Sequence, residues 1–138
     1  MAVVLDSSVV VGFLDRSDEL HDAADETIRE ILTSHRLFVS VITYAEVLTG
    51  ARLGHHDEEQ VIGFFTDLIS TVVPVDIEIG DCAARLRAES KALAMPDALI
   101  AATAEINGEI ELLVSGDGDV AKAKGLGCPV RLIGVGRT

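Results

Sequence analysis

The chain has no tryptophan, one tyrosine and four phenylalanines, so aromatics make up only 4% of its 138 residues. A core built from it must be filled with Val, Leu, Ile and Ala, and the 49% apolar fraction is ample for that. Cysteine occurs only at 82 and 128, a spacing that fits no metal-binding signature and suggests no disulfide scaffold. A reducing cytoplasm is the expected home. No apolar run approaches the roughly 20 residues of a membrane span, and Met1–Leu5 lacks the charged flank and long core of a secretion signal. Basic residues are scarce: 11 Lys and Arg face 23 Asp and Glu, a formal charge of −12. That balance argues against a broad cationic surface for nucleic acid, and against stable DNA binding by this chain alone. It still admits a nuclease, because bound metal offsets an acidic site and local basic patches can meet phosphates. A basic partner also fits.

No internal repeat, low-complexity stretch or composition break divides the chain, and residues 1–138 hold one domain's worth of core. The apolar run at residues 2–6 reads as a buried strand, with Ser7 or Ser8 capping a short helix after it. Helical spacing of Leu20, Ala23, Ala24, Ile28, Ile31 and Leu32 marks a helix over 18–33. Leu37–Val39 reads as strand two, followed by a helix from Ser40 or Thr43 to about Arg52 and another over 57–69. Val72–Val75 reads as strand three, near a sheet edge because Pro74 has no N–H for a ladder. Helices over 77–90 and 97–107, the latter opened by Pro96 and Asp97, precede strand four at 110–114. A short helix at about Val120–Lys124 and strand five at Val130–Ile133 complete the series. Strands separated by helices favour a parallel sheet covered on both faces.

Four acids then stand out: Asp6, Glu46, Asp97 and Asp117. Asp6 closes the first apolar run, Glu46 lies within Val41–Leu48, Asp97 follows Pro96, and Asp117 follows Glu111–Ser115. In an open α/β sheet, active groups collect beyond the carboxyl ends of the strands; Asp6 and Asp117 fall at such ends, Glu46 enters from a helix after strand two, and Asp97 from a helix N-terminus. Carboxylates crowded there need a cation or a shared proton. Magnesium or manganese would supply the cation through oxygen ligation, orient water and stabilise charge on a phosphate. Asp6 and Asp97 are the main candidate ligands, Glu46 a ligand or holder of water, and Asp117 completes or orients the set. Asp119 is either an outer contributor or a cap of the last helix, while Ser7 and Ser115 are placed to hydrogen-bond a carboxylate or phosphate. Taken singly, Asp6 also suits a strand-end turn and Asp97 the first turn of a helix, where an acid complements the dipole.

These segments resemble the PIN domain, and most closely its VapC-type toxins. Val3-Val4-Leu5-Asp6-Ser7-Ser8 resembles the first acidic motif of that family, and Thr43-Tyr44-Ala45-Glu46-Val47 the second. Met95-Pro96-Asp97 with the following Ala98-Leu99-Ile100-Ala101-Ala102-Thr103-Ala104 is the strongest match. Val114-Ser115-Gly116-Asp117-Gly118-Asp119 resembles the last, with two departures: glycine at 116, and Val120 where many members have phenylalanine. The resemblance spans nearly the whole chain. It implies a PIN-like three-layer α/β/α fold with a central parallel five-stranded sheet in order 3-2-1-4-5. It also implies an Mg²⁺- or Mn²⁺-dependent endoribonuclease that cuts structured RNA such as tRNA or rRNA, leaving a 3′-hydroxyl and a 5′-phosphate. Such proteins are commonly homodimers inhibited by a cognate VapB-type antitoxin, and a basic antitoxin tail would suit an acidic groove.

Candidate phosphate contacts are Arg52, Arg85, Arg87, Lys91, Lys122 and Lys124, although each taken singly reads first as ordinary solvent-facing charge. His55 and His56 are adjacent rather than one helical turn apart, and His21 and His35 have no evident metal partner in the sequence. Two other functions compete. In a metal-dependent phosphatase or phosphotransfer enzyme Asp6 would be the nucleophile, but Ser8 stands where a following catalytic aspartate would be needed. An inactive PIN-like interaction module would be expected to have a damaged quartet, and here all four acids are present.

Overall fold

Two interleaved apolar patterns on the central strand decide the architecture. The computed structural model describes residues 1–134, and in it β1 (Ala2–Leu5) is buried along its whole length. Successive side chains of a strand point to opposite faces. Val3 and Leu5 join one core cluster, and Ala2 and Val4 join the other. Strands buried on both sides belong in a covered parallel sheet. The sheet has five strands in the order β3-β2-β1-β4-β5, all paired in parallel, with β2 at Arg36–Ser40, β3 at Ile69–Val73, β4 at Ile110–Ser115 and β5 at Val130–Leu132. The three-layer fold and strand order expected from the motifs are therefore observed.

One face is covered by α1 (Ser7–Leu14), α2 (His21–Leu32), α3 (Val41–Arg52) and α4 (Glu58–Asp67), through residues such as Val10, Ile28, Val47 and Phe64. The other carries α5 (Ile77–Glu89), α6 (Met95–Ile106) and the four-residue α7 (Gly118–Ala121). The small, fully buried Ala98, Ala101 and Ala102 let α6 lie close to its neighbours, while Leu86, Leu93 and Ile100 fill the space. Burying each such large side chain contributes roughly 1.5–3 kcal/mol.

Several boundaries shift for identifiable reasons. The cap of α1 is Asp6, whose carboxylate accepts the Ser7 N–H; Ser7 and Ser8 lie in the first turn. Helix α2 begins at His21 because Asp18 accepts the Leu20 N–H and turns the chain before it. Strand β3 begins at Ile69 rather than Val72, since α4 closes at Leu68 with its N–H on the Phe64 carbonyl. Ser70 and Thr71 face solvent on this edge strand, so its first half carries no apolar signal. Pro74 lies just past the strand. Met95 and Pro96 already belong to α6, and Lys122–Lys124 lie beyond α7. No described helix is long and apolar enough to cross a membrane. The last part of the expected domain, residues 135–138, lies outside the described residues.

Candidate active site

Parallel pairing turns the carboxyl ends of all five strands toward one edge, and each acid reaches that edge on a different segment. Asp6 ends β1 and caps α1. Its backbone N–H continues the ladder to the Val114 carbonyl at 2.9 Å, fixing it against β4. Asp117 caps α7 just beyond β4, with its Oδ1 accepting the Asp119 N–H at 2.8 Å. Asp97 sits in the first turn of α6, one residue after Pro96, where a negative charge complements the helix dipole. Glu46 projects from the exposed side of α3.

Asp6 is buried at 2% exposure, which an ion tolerates only with dedicated partners. It has three. Oδ1 accepts the Ser7 N–H at 2.8 Å, and Oδ2 accepts hydroxyls from Ser115 at 2.6 Å and Ser8 at 3.2 Å. Each of those hydroxyl oxygens in turn accepts a backbone N–H from the loop after β4: Ser8 from Gly116 at 3.0 Å and Ser115 from Asp117 at 2.9 Å. Two serines thus tie Asp6 to the segment carrying Asp117. A second relay supports Glu46. Ser7 Oγ donates to Glu46 Oε1 at 2.7 Å, and the fully buried Thr43 Oγ1 lies 3.0 Å behind it. A consistent chain has Thr43 donating to Ser7 and Ser7 to Glu46.

The electrostatics follow from this crowding. Burial pushes the Asp6 carboxyl above its ordinary value, opposed by the bonds from Ser115, Ser7 and Ser8, with the Asp117 charge adding to the rise. Asp97 is pushed up to about 6, first by burial and then by the charges of Asp6, Asp117 and Glu46. A hydrogen bond to Asp117 available only to its protonated form adds to the same rise. All four acids therefore lie within electrostatic reach of one point. A divalent cation would relieve that repulsion, and the all-oxygen donor set fits magnesium or manganese. Among the described residues, however, no group of three His, Cys, Asp or Glu side chains is arranged to hold an ion. The serine bonds on Asp6 and Glu46, and the capping bond on Asp117, account for part of their present orientation.

Asp119 lies exposed in the first turn of α7, giving its N–H to the Asp117 cap. Ser8 and Thr43 complete the hydroxyl network, although their sequence positions advertise only a cap and a motif neighbour. The candidate cations separate into groups. Arg87 is committed to the backbone, donating to the carbonyls of Lys91 at 3.1 Å and Leu93 at 2.7 Å, so it braces the loop that enters α6 and carries Asp97. Arg52 pairs with Glu58 at 3.5 Å, and Arg85 donates to the Gly125 carbonyl at 3.4 Å. Lys91, Lys122 and Lys124 are exposed and make no ion pair among the described residues. The Lys124 N–H bonds Ser90 Oγ at 2.8 Å, bringing the connection after α7 against the end of α5. His35 pairs with Glu111 and with the Ser34 hydroxyl, and His21 Nδ1 meets the Gly12 carbonyl at 2.9 Å, so both histidines are structurally engaged.

Three cavities of about 500, 360 and 330 Å³ lie elsewhere among the described residues, and none is lined by any of the four acids.

A covered parallel sheet with acids at the carboxyl ends of its strands and in the helices beside them defines an α/β protein. The chain belongs to the PIN domain family, whose model matches residues 3–126. No curated protein matches it by sequence. Its fold is similar to that of VapBC2 from Rickettsia felis bound to a fragment of promoter DNA, with TM-score 0.74, 16% identity, and 96% of this chain and 98% of that one covered. It is also similar to a toxin–antitoxin complex from Klebsiella pneumoniae, with TM-score 0.69, 24% identity and coverage of 94% and 95%. A third is Mycobacterium tuberculosis VapC20, a toxin that cleaves the sarcin–ricin loop, with TM-score 0.68, 18% identity and coverage of 86% and 92%.

Proposed function

We propose that this chain is a single-domain, VapC-type endoribonuclease toxin that hydrolyses structured RNA with magnesium or manganese and is inhibited by a cognate VapB-type antitoxin. The observation that carries the reading is the PIN family match over residues 3–126, and the rise of Asp97, driven first by burial and then by the charges of Asp6, Asp117 and Glu46, supports it. Four carboxylates from separate segments make a poor stability device and a good cation trap. The toxin–antitoxin descriptions of structures sharing this fold support the biological role, and a cytoplasmic homodimer is the working form in this proposal.

In this reading Asp6 and Asp97 hold the cation, Asp117 completes the set, and Asp119 contributes from outside. When bound, a divalent cation supplies Lewis acidity and lowers the pKa of attacking water. Asp6 presents its remaining Oδ1 lone pair, because Oδ2 is occupied by Ser8 and Ser115. Glu46, anchored through Oε1 by Ser7, presents Oε2 to accept a proton as water attacks phosphorus. The P–O3′ bond breaks, the departing O3′ takes a proton from solvent, and a 3′-hydroxyl and a 5′-phosphate result. Lys91, Lys122, Lys124 and Arg85 are the phosphate contacts this reading favours, with Arg52 already paired to Glu58. Occupation of Asp6 Oδ2 by two hydroxyls weighs against a phosphoaspartate enzyme.

The test is incubation of antitoxin-free protein with total cellular RNA in magnesium, in manganese and in EDTA, with mapping of the cleaved ends. Discrete metal-dependent products carrying 5′-phosphates, lost in Asp97→Asn, are expected. Intact RNA in every condition, from folded protein, would reject the nuclease.

A further inference from the structure

Gly116, one of the two departures from the family pattern, stands between Ser115 and Asp117, and its backbone has no left-handed φ that would demand glycine. The space beside it is filled by the flexible end of the Leu20 side chain, which would have to turn away from any side chain added there. A methyl group at 116 would overlap Leu20 Cδ1 and stand 3.4 Å from Ser8 Oγ. The same leucine occupies the room beside two more glycines. A methyl at Gly134 would overlap Leu20 Cδ2, and one at Gly12 would lie 3.0 Å from Leu20 Cβ. Leu20 itself is half-buried just before α2 and is held by its N–H on Asp18 Oδ1 at 2.8 Å. On its other side Gly116 donates its N–H to Ser8, the hydroxyl that reaches Asp6.

We infer that Leu20 is a positioning residue for the acidic site: a plug seated in the Gly116 notch that presses the Ser115–Asp117 turn against Ser8. The plug sets the spacing of Asp6 and Asp117 without touching either carboxylate. It also joins the connection between α1 and α2 mechanically to the site. The consequence for catalysis rests on the nuclease reading above; the packing consequence does not. Displacing the turn costs rate rather than substrate affinity, because misplacement of a reacting group by about 1 Å can lower turnover by about a hundredfold.

The test is a two-residue cycle of wild type, Gly116→Ala, Leu20→Ala and the double variant, each checked for folding by its melting curve. Two readouts are taken: exchange of the Asp117 amide against the core amide of Val39, and kcat and KM for RNA cleavage. Gly116→Ala should speed Asp117 exchange about tenfold while sparing Val39, and should lower kcat about a hundredfold with little change in KM. Shortening Leu20 in the same protein should return both readouts to the level of Leu20→Ala alone. A double variant as exchange-prone and as slow as Gly116→Ala overturns the inference. Rescue of Asp117 exchange in a protein set that cleaves no RNA would leave the plug standing and remove the nuclease reading. Cleavage by wild type with no rescue in either readout would do the reverse. Should Gly116→Ala not fold, Leu20→Ala against Leu20→Met decides: faster Asp117 exchange in the alanine variant alone is expected, and equal protection in both refutes it.

Discussion

Replacing Asp97 by asparagine should stabilise the metal-free protein at neutral and alkaline pH, although it removes a candidate ligand. The carboxyl of Asp97 is raised from 3.8 to about 6, chiefly by burial and then by three neighbouring acids. An acid whose folded value lies above its unfolded one costs the native state stability once it ionises. The penalty is absent below pH 3.8, grows as pH rises toward 6, and is complete above it. At about 1.36 kcal/mol per unit the full shift corresponds to ~3 kcal/mol, but Asp97 is only half-buried, and solvent screening reduces that to ~1 kcal/mol. For a chain of this size ~1 kcal/mol moves the melting temperature by roughly 3–6 °C. Thermal unfolding in EDTA across pH 3.5 to 8 is the assay. The asparagine variant should melt higher at pH 8, with the gap closing toward pH 3.5. Added magnesium or manganese should raise wild type at pH 8 and leave the variant nearly unmoved, since a cation stabilises only the state that binds it. A variant that melts below wild type in EDTA at pH 8, or a gap that widens in acid, would refute the reasoning.

Three further outcomes follow from named contacts. Ser115→Ala removes a hydroxyl that favours ionised Asp6, so the acid limb of the activity–pH profile should move to higher pH and stability should fall by about 1.5–3 kcal/mol; an unmoved limb would detach Ser115 from Asp6. Thr43→Val keeps the buried shape but removes the hydroxyl behind Ser7, which should cost about 1 kcal/mol and lower kcat more than it raises KM. Denaturant titration should separate Arg87 from the lysines. Arg87→Ala strands two backbone carbonyls at about 1–2 kcal/mol, whereas Lys91→Ala and Lys124→Ala should stay within about 0.5 kcal/mol and instead flatten the salt dependence of RNA binding.

Much of the fold was legible because β1 is buried along its whole length and β4 through its second half. Val3-Val4-Leu5 runs up to Asp6 and Leu112-Leu113-Val114 lies between Glu111 and Ser115, and both belong to interior strands of the sheet. Strand β3 was displaced in the reading because an edge strand can carry Ser70 and Thr71 toward solvent, erasing its apolar signature. Helix starts shifted where a side chain decides them: Asp6, not a serine, caps α1, and Asp117, not Asp119, caps α7. The acids were visible as unusual charges beside core segments. Their supports were not, since Ser8 reaches Gly116 across 108 residues and Thr43 reaches Ser7 across 36. The structural duty of Arg87 was equally hidden, because a guanidinium bound to two carbonyls reads in sequence like any surface charge.

Binding of Mn²⁺ to the antitoxin-free protein, followed by calorimetry above pH 7 and again near pH 5, addresses the acidic quartet most directly. Saturable binding above pH 7 is predicted, weakened near pH 5 as Asp97 regains its proton, and weakened at least about tenfold by Asp6→Asn and by Asp97→Asn. Absence of binding to folded protein above pH 7, or an affinity that neither substitution alters, would contradict the account.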